Sequence, residues 1–199
     1  MRVDKHLCED IASWLYKYLT SSGLSKFVIG VSGGVDSALT STLCAETGKP
    51  TIVVNIPINS KRNNTELSNS HCHWLKKKYD NVEIINIDMS DVYNLFKKTV
   101  SDYAKDDGLA LANTKSRMRM VLLYYLAGIN HGIVVGTGNK IEDFGVGFYT
   151  KYGDGGVDIS PIADLNKTQV RQCAQIMGIQ DNILSAPPTD GLWEDDRTD

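Results

Sequence analysis

Short apolar runs alternate with stretches of helical periodicity along most of this 199-residue chain. Apolar runs of about 4–8 residues are typical of strands buried on both faces, whereas a period near 3.6 indicates amphipathic helices. The alternation predicts an α/β fold, a doubly wound, Rossmann-like parallel sheet flanked by helices on both faces. The four predicted strands lie at about residues 26–31, 51–56, 82–88 and 132–136.

The predicted helices occupy the chain between these strands. Apolar residues at helical spacing place one of them after Ser90 and the others at about residues 4–21, 38–45, 65–79 and 118–129. Ser90 and Asn113 are predicted to be N-caps, because a short polar side chain can satisfy the free N–H groups of a first helical turn.

One cluster, His71-Cys72-His73, has residue types that bind metals. Residues two apart point to different sides of a helix, so the two histidines cannot share one ion without a break in the helix. We therefore interpret this segment as a solvated helix face.

The composition is that of an ordinary globular protein, with 42% hydrophobic and 23% charged residues. A net charge of −3 gives no basic footprint for nucleic acid or an anionic membrane. No apolar run approaches the roughly 20 residues of a membrane span, and the N-terminus lacks a signal-peptide core. The four cysteines are scattered without a C-x-x-C pair, which favours reduced thiols over disulfides or a zinc site. We expect a cytoplasmic protein without nucleic-acid or membrane partners.

A glycine-rich segment, G-V-S-G-G-V-D-S at residues 30–37, joins the first predicted strand to the next helix. Glycines let the backbone approach a ligand closely, and the N–H groups at a helix start favour an anion such as phosphate. Ser32 and Ser37 add hydroxyl donors, and Asp36 adds a carboxylate suited to Mg²⁺ beside phosphate oxygens. The segment has neither the lysine of the Walker loop nor the glycine spacing of the dinucleotide fingerprint. It therefore predicts a phosphate loop of another kind.

A second glycine-dense connection follows the fourth predicted strand, at residues 136–158. A connection of about twenty residues is uncommon in a compact domain unless it is functional. Open α/β sheets bind ligands beyond the carboxyl ends of their strands, where the strand order reverses. We therefore expect this connection and the phosphate loop to meet in one site.

The hexapeptide S-G-G-x-D-S resembles the loop of the ATP pyrophosphatase superfamily, whose members form adenylates and release pyrophosphate. Further motifs make the resemblance specific, because they occur in the order found in NAD synthetase. They are A-N-T-K-S-R-M-R-M, V-V-G-T-x-N-K-x-E, T-K-Y-G-D-G-G and A-P-P-T-D-G-L-W. With the phosphate loop they span residues 26–199, and the chain resembles the NAD synthetase family over that length.

Carried over position by position, the resemblance implies three groups of site residues. The residues matched to the magnesium ligands are Asp36 and Glu142. With Lys167, they are the residues that we expect to act in catalysis. The implied ATP-binding set is Gly30, Val31, Ser32, Gly33, Gly34, Val35, Asp36, Ser37, Thr137, Lys167 and Thr189. The residues matched to deamido-NAD binding are Arg117, Lys151 and Asp158.

Two arginines near the middle of the chain, Arg117 and Arg119, are candidates for binding deamido-NAD. Arg117 and Arg119 diverge by about 200° around a helix, so only one of them can face the site. The family pattern selects Arg117, which leaves Arg119 as a structural or surface ion-pair residue.

The resemblance also implies a reaction, the ATP-dependent amidation of deamido-NAD to NAD with free ammonia as the nitrogen donor. The nicotinate carboxylate attacks the α-phosphorus of ATP, and ammonia then displaces AMP from the resulting NAD-adenylate. Such chemistry needs positioning and charge neutralisation rather than a protein nucleophile. Mg²⁺ as cofactor and a homodimer are implied in the same way.

Chains of the family usually continue beyond the P-P-T-D-G-L-W segment into a helical tail, whereas this sequence stops at Asp199. Either the sequence is a fragment of a longer chain or this member lacks the tail, and we expect a single domain over residues 1–199. Two alternatives stay open. One is another pyrophosphatase-loop adenylating enzyme, such as a tRNA-modifying one, against which the negative charge and missing C-x-x-C argue. The other is a non-catalytic nucleotide-binding or dimerisation module, against which the presence of both Asp36 and Glu142 argues.

Overall fold

The computed structural model describes residues 3–60, 62–103 and 108–186. Its centre is a parallel sheet of four strands, β1 Lys26–Gly30, β2 Thr51–Asn55, β3 Val82–Asn86 and β4 Gly132–Val134. The strands are ordered β3-β2-β1-β4, and every pairing between them is parallel. The predicted parallel sheet is confirmed.

Helices surround the sheet in the described ranges. They are α1 Lys5–Ser22, α2 Val35–Glu46, α3 Arg62–Lys78, α4 Ser90–Thr99, α5 Gly108–Ile129, α6 Lys167–Ile176 and α7 Asp181–Leu184. A 3₁₀ turn lies at Ser101–Tyr103 and a π-helical segment at Lys140–Val146. No helix in these ranges combines the length and apolar character that crossing a bilayer requires.

Both faces of the sheet are covered, as the continuous apolar runs predicted. Alternate residues of a strand point to opposite faces. Phe27 and Ile29 of β1 pack in a cluster with residues of α1, α2 and α6, whereas Val28 packs with Leu126 of α5. Helices on both sides of one sheet confirm the doubly wound architecture.

The strand order places one crevice at the carboxyl ends of β1 and β4. From β1 the chain moves outward through β2 to β3, and it then returns to the opposite side of β1 to form β4. Such a reversal opens a cleft between the two connections that leave the neighbouring strands. The phosphate loop follows β1 and the 136–158 connection follows β4, so both begin at this cleft.

Both predicted N-caps are wrong. Asn113 lies inside α5, which begins at Gly108, and its Oδ1 accepts a hydrogen bond of 2.7 Å from Thr150 Oγ1. Ser90 is the first residue of α4, and its Oγ accepts from the backbone N–H of Asn59 at 2.9 Å. Each side chain has a distant partner, and local sequence preference contains no information about such partners.

The interpretation of His71 and His73 as one solvated face is correct for His73 and wrong for His71. His73 is exposed, but His71 is completely buried, with its Nε2 at 2.9 Å from Ser41 Oγ of α2. The opposite directions of the two rings agree with their spacing. In the described part of the chain, no three His, Cys, Asp or Glu residues are grouped to hold a metal ion.

Candidate active site

The phosphate loop is shaped by one glycine that no other residue could replace without strain. Gly33 has a φ of 90°, a conformation that residues with a Cβ rarely adopt. A Cβ there would also lie 3.0 Å from the backbone O of Asn64 and 3.0 Å from the backbone N of Ser68. The loop is therefore pressed against the first half of α3.

The two serine hydroxyls of the loop bond within the loop itself. Ser37 Oγ donates to Gly34 O at 3.0 Å and accepts from Ser32 N at 3.2 Å, while Ser32 Oγ accepts from Gly34 N at 3.3 Å. Val31 is held by the sheet and by α3, since its N–H donates to Val54 O and its O accepts from Ser68 Oγ. These bonds fix the backbone that leads into α2.

The first turn of α2 presents backbone N–H groups at the cleft. Its N-cap is Gly34, which has no side chain to cap the helix, and the helix begins with Val35, Asp36 and Ser37. The first N–H groups of a helix have no intrahelical acceptor, and the helix dipole makes this end positive. This arrangement suits a phosphate group, as expected from the sequence.

Asp36, Glu142 and Lys167 meet at this helix start. Lys167 Nζ lies 2.6 Å from Asp36 Oδ2 and 2.7 Å from Glu142 Oε1. The two carboxylate oxygens therefore lie no further apart than these two distances together. They come from α2 and the π-helical segment, and the lysine comes from α6, so three separate parts of the chain form one charged cluster.

The position of Lys167 is set by the start of α6. Asn166 caps this helix through a reciprocal pair of bonds, in which Asn166 Oδ1 accepts from Gln169 N and Gln169 Oε1 accepts from Asn166 N, both at 3.0 Å. The buried residues Val170 and Cys173 anchor the helix in the core beside α2. A lysine is unfavourable at a helix N-terminus, so the two carboxylates hold this one against the dipole.

The charged cluster contains more acid than base. Burial raises the pKa of Asp36 above its ordinary value, although Lys167 opposes the shift. Burial disfavours the charged form of Lys167, but Asp36 and Glu142 outweigh this effect and raise its pKa. The neighbouring Asp143 has its pKa raised to about 6 by burial and by the charges of Asp154, Glu142 and Asp36. One ammonium group thus bonds two carboxylates while a third acidic group lies nearby, which favours an additional cation.

The donor set fits Mg²⁺ that is shared with a nucleotide. Mg²⁺ prefers hard oxygen ligands and is commonly bound by one or two carboxylates together with phosphate oxygens and water. Asp36 and Glu142 supply two such carboxylates directly beside the helix start that suits phosphate. The same two carboxylates already share one cation, the ammonium group of Lys167.

A second cluster lies where the 136–158 connection crosses α5. Asp154 fixes the connection there, since its Oδ1 accepts from Ser116 Oγ and from Thr150 N, each at 2.8 Å. Arg117 Nε donates to Lys151 O at 3.2 Å. The structure therefore brings together Arg117 and Lys151, and both side chains are exposed to solvent.

Asp158 is placed differently from those two residues. Its Oδ2 accepts from the backbone N–H of Val134 in β4, and its Oδ1 accepts from Tyr124 Oη in α5, at 2.8 and 2.9 Å. Burial and the Asp158 charge raise the pKa of Tyr124 to about 12. In this structure Asp158 therefore joins the edge strand to a helix.

The other residues predicted from the sequence are Thr137, Gly30, Thr189 and Arg119. Thr137 is half-buried just after β4, and Gly30 is the last residue of β1. Thr189 lies outside the described residues. Arg119 Nε donates to Ile56 O at 3.1 Å, which agrees with its prediction as a structural residue.

Sequence reasoning missed one residue of this site, Asn139. It is completely buried, and its Nδ2 donates to Asp36 Oδ1 at 3.0 Å. Its Oδ1 accepts from the backbone N–H groups of Ile141 and Glu142, which makes it the N-cap of the π-helical segment. An asparagine just before K-x-E is a recognisable N-cap signal, but its bond to Asp36 has no signal in the sequence.

Comparison with known proteins agrees with this geometry. The family model described as NAD synthase matches residues 7–199. The NH(3)-dependent NAD(+) synthetase of Malacoplasma penetrans is 36% identical over 192 residues, which cover 96% of this chain and 75% of that protein.

Solved structures give the same result. The NMN synthetase of Francisella tularensis superimposes with a TM-score of 0.90 at 31% identity, covering 98% of this chain and 79% of that one. The NH3-dependent NAD synthetase of Campylobacter jejuni superimposes with a TM-score of 0.83 at 28% identity, covering 92% and 77%. By its motifs, its fold and these matches, the chain belongs to the NAD synthase family.

Proposed function

We propose that this protein catalyses the ATP-dependent amidation of deamido-NAD by free ammonia, with NAD, AMP and pyrophosphate as products. The observation that carries the proposal is the meeting of Asp36, Glu142 and Lys167 at the uncapped start of α2. Membership of the NAD synthase family supports the same reaction. The tRNA-modifying alternative is not favoured, because the matched relatives are named as synthetases of NAD or NMN.

In this proposal the triphosphate of ATP lies on the phosphate loop and the first N–H groups of α2. Lys167 turns from the carboxylates toward a phosphate oxygen, where its charge stabilises the pyrophosphate that leaves. Asp36 and Glu142 would hold Mg²⁺, which when bound would neutralise charge on the phosphate oxygens. Thr137 and Thr189 are proposed as further ATP contacts on the resemblance alone.

Two displacements complete the reaction. The nicotinate carboxylate attacks the α-phosphorus of ATP, the bond to the β-phosphate oxygen breaks, and pyrophosphate leaves. Ammonia then attacks the activated carbonyl carbon, AMP leaves, and one proton is released as the amide forms. The protein contributes position and electrostatic stabilisation, which is the usual division of labour in phosphoryl and adenylyl transfer.

The deamido-NAD is proposed to lie along the exposed cations of Arg117 and Lys151, since its pyrophosphate group is anionic. The bond from Arg117 to Lys151 O supports a common binding surface. Asp158 is retained as a substrate contact on the resemblance alone.

We further propose that the protein is a cytoplasmic homodimer without nucleic-acid or membrane partners. Support for a dimer comes from one stripe of α5 at four-residue spacing, Val121, Tyr125 and Ile129, whose side chains are 61%, 63% and 59% exposed. Neighbouring α4 exposes Val92 and Leu95 as well. Large apolar side chains exposed along one face of a helix are typical of protein–protein interfaces.

A second candidate reaction is the amidation of nicotinate mononucleotide. It is favoured by the similarity to the NMN synthetase of Francisella tularensis, with a TM-score of 0.90 over 98% of this chain. The two reactions share the adenylation chemistry and differ only in the acceptor, so one assay distinguishes them.

The assay supplies ATP, Mg²⁺ and ammonium with either deamido-NAD or nicotinate mononucleotide, and measures NAD, NMN, AMP and ADP. We expect NAD and AMP in equal amounts from deamido-NAD. A larger kcat/KM for the mononucleotide would favour the second candidate, and ADP as the nucleotide product would exclude adenylate chemistry.

Asp36→Ala and Glu142→Ala should each lower kcat/KM by about 100-fold or more. The control is Asp80→Ala, an exposed carboxylate before β3 at the opposite edge of the sheet.

A further inference from the structure

We propose that Asn139 is a positioning residue, whose side-chain amide orients the Asp36 carboxylate and ties it to the backbone of the segment that carries Glu142. The inference deepens the proposed function, because it concerns the same cation site. It concerns how that site is built, and it can therefore be tested by cation binding without turnover.

The first support is that both ends of the buried Asn139 side-chain amide form hydrogen bonds. Asn139 is 0% exposed, and each end of its amide has partners on a different element. Nδ2 donates to Asp36 Oδ1 at 3.0 Å, while Oδ1 accepts from Ile141 N at 3.0 Å and from Glu142 N at 3.1 Å. The orientation of the amide is forced, because the reverse would direct its NH₂ group at two backbone donors.

The second support is the distance in sequence that this amide bridges. Asn139 and Asp36 are separated by 103 positions. Lys167 also links α2 to the π-helical segment, because its Nζ bonds both Asp36 and Glu142. Asn139 caps the segment that carries Glu142 and at the same time holds Asp36. A shift of the Asp36 carboxylate relative to the backbone of the segment that carries Glu142 must therefore stretch a bond to Asn139.

The third support is the division of the two Asp36 oxygens. Oδ1 is occupied by Asn139, and this leaves Oδ2 as the oxygen that faces the cation, at 2.6 Å from Lys167 Nζ. A partner that restrains one oxygen of a carboxylate fixes the direction of the other, as outer-shell partners do at metal sites. Asn139 thus determines which oxygen Asp36 offers to a cation.

Capping and positioning can be separated by substitution. Asn139→Ser retains an oxygen that can cap the π-helical segment, but its side chain is too short to reach Asp36. Asn139→Ala removes both functions. A matched control is Asp4→Ser, because Asp4 caps α1 through Leu7 N at 3.2 Å and lies outside the site.

The measurement is Mn²⁺ binding, followed by electron paramagnetic resonance with a saturating non-hydrolysable ATP analogue. We expect Asn139→Ser to raise the Kd for Mn²⁺ about tenfold, while Asp4→Ser leaves it unchanged. In an Asp36→Ala background the serine substitution should cause no further loss, because its effect passes through Asp36. Circular dichroism verifies folding, and Asn139→Thr, another capping residue, replaces the serine variant if that one does not fold.

Wild-type Mn²⁺ affinity in Asn139→Ser would overturn the inference and reduce Asn139 to a helix cap. An additive loss in the Asp36→Ala background, or no Mn²⁺ binding by the wild-type protein, would overturn it as well. These outcomes are distinguishable from failure of the proposed function. Mn²⁺ binding that depends on Asn139 in a protein unable to amidate deamido-NAD would leave the inference intact and contradict only the reaction.

Discussion

At the scale of single residues, Gly33 determines whether the phosphate loop can take its shape. Its φ of 90° and the contacts of 3.0 Å that a Cβ would make with α3 backbone atoms exclude a side chain. We predict that Gly33→Ala lowers kcat/KM for ATP by about 100-fold, because the displaced loop no longer aligns its donors.

The matched control for this variant is Gly48→Ala. Gly48 also has a positive φ, 73°, but a Cβ there would meet no atom within 4 Å. This substitution should cost about 1 kcal/mol of folding free energy and leave kcat/KM unchanged. Equal effects of the two variants on ATP use would show that close packing of the loop against α3 is unimportant.

The burial of His71 leads to a prediction about how the free energy of unfolding depends on pH. Burial lowers the pKa of His71 to about 4 from its ordinary value of 6.5. Between these two values the unfolded chain binds a proton that the folded protein does not bind. The contribution of His71 is therefore complete above pH 6.5 and is lost progressively as the pH falls to 4, by at most about 3 kcal/mol.

Urea unfolding at pH 7, 5.5 and 4.5 measures this dependence. We expect His71→Gln to flatten the fall in the free energy of unfolding, and His73→Gln, on the exposed side of α3, to leave it unchanged. An unchanged slope in His71→Gln would show that another group is responsible.

At the residue scale, motifs that carry their own chemistry indicated which residues lie together. Asp36 and Glu142 converge on Lys167 Nζ, and their role as Mg²⁺ ligands stays a prediction. Asn139 was missed because its decisive bond joins residues 103 positions apart. The caps assigned to Ser90 and Asn113 failed for the same reason, since both side chains bond to distant segments.

At the scale of elements, the 136–158 connection depends on α5 for its conformation. Asp154 bonds to Ser116 and Thr150, and Arg117 bonds to Lys151 O, so the connection lies on the first half of that helix. The sequence predicted α5 from residue 118, because clear apolar periodicity begins there, whereas the helix begins at Gly108. The first turns of α5 have no clear apolar periodicity, and contacts with the 136–158 connection stabilise them instead.

We predict that Lys151→Ala raises the KM for deamido-NAD about tenfold, because one cation facing an anionic substrate is lost. The KM for ATP should change little, since the phosphate loop belongs to other elements. Steady-state kinetics with each substrate varied in turn gives both constants. Lys97→Ala, at an exposed position of α4, controls for the loss of a surface charge. An unchanged KM for deamido-NAD in Lys151→Ala would show that Lys151 does not bind this substrate.

At the scale of the whole molecule, the doubly wound sheet was predictable because β1, β2 and β4 each contain an unbroken run of buried apolar residues. Burial on both faces needs helices on both sides, and both clusters of core residues are present. The strand order itself, β3-β2-β1-β4, is set by packing among helices that a single sequence does not reveal. The single domain over residues 1–199 stays a prediction.

The apolar stripe on α5 leads to a prediction about assembly. Tyr125→Glu places a charge in the centre of the exposed stripe and should convert the proposed dimer to a monomer, because an unpaired charge is costly in an apolar interface. Light scattering after size-exclusion chromatography measures the mass. Tyr16→Glu alters another exposed tyrosine, on α1, and should leave the mass unchanged. A Tyr125→Glu protein that elutes with the wild-type mass would move the interface elsewhere.

The ammonium group of Lys167 gives the ligand-free enzyme an internal counter-ion between the carboxylates of Asp36 and Glu142. Without it, the repulsion between Asp36 and Glu142 would push α2 and the π-helical segment apart. A chelator such as EDTA should therefore leave the melting temperature unchanged. The melting temperature of Lys167→Met should be about 5 °C lower, and it should return to the wild-type value when Mg²⁺ is added. A lower melting temperature of the wild-type protein in EDTA would contradict this. The enzyme thus keeps its nucleotide cleft assembled between turnovers by a charge of its own.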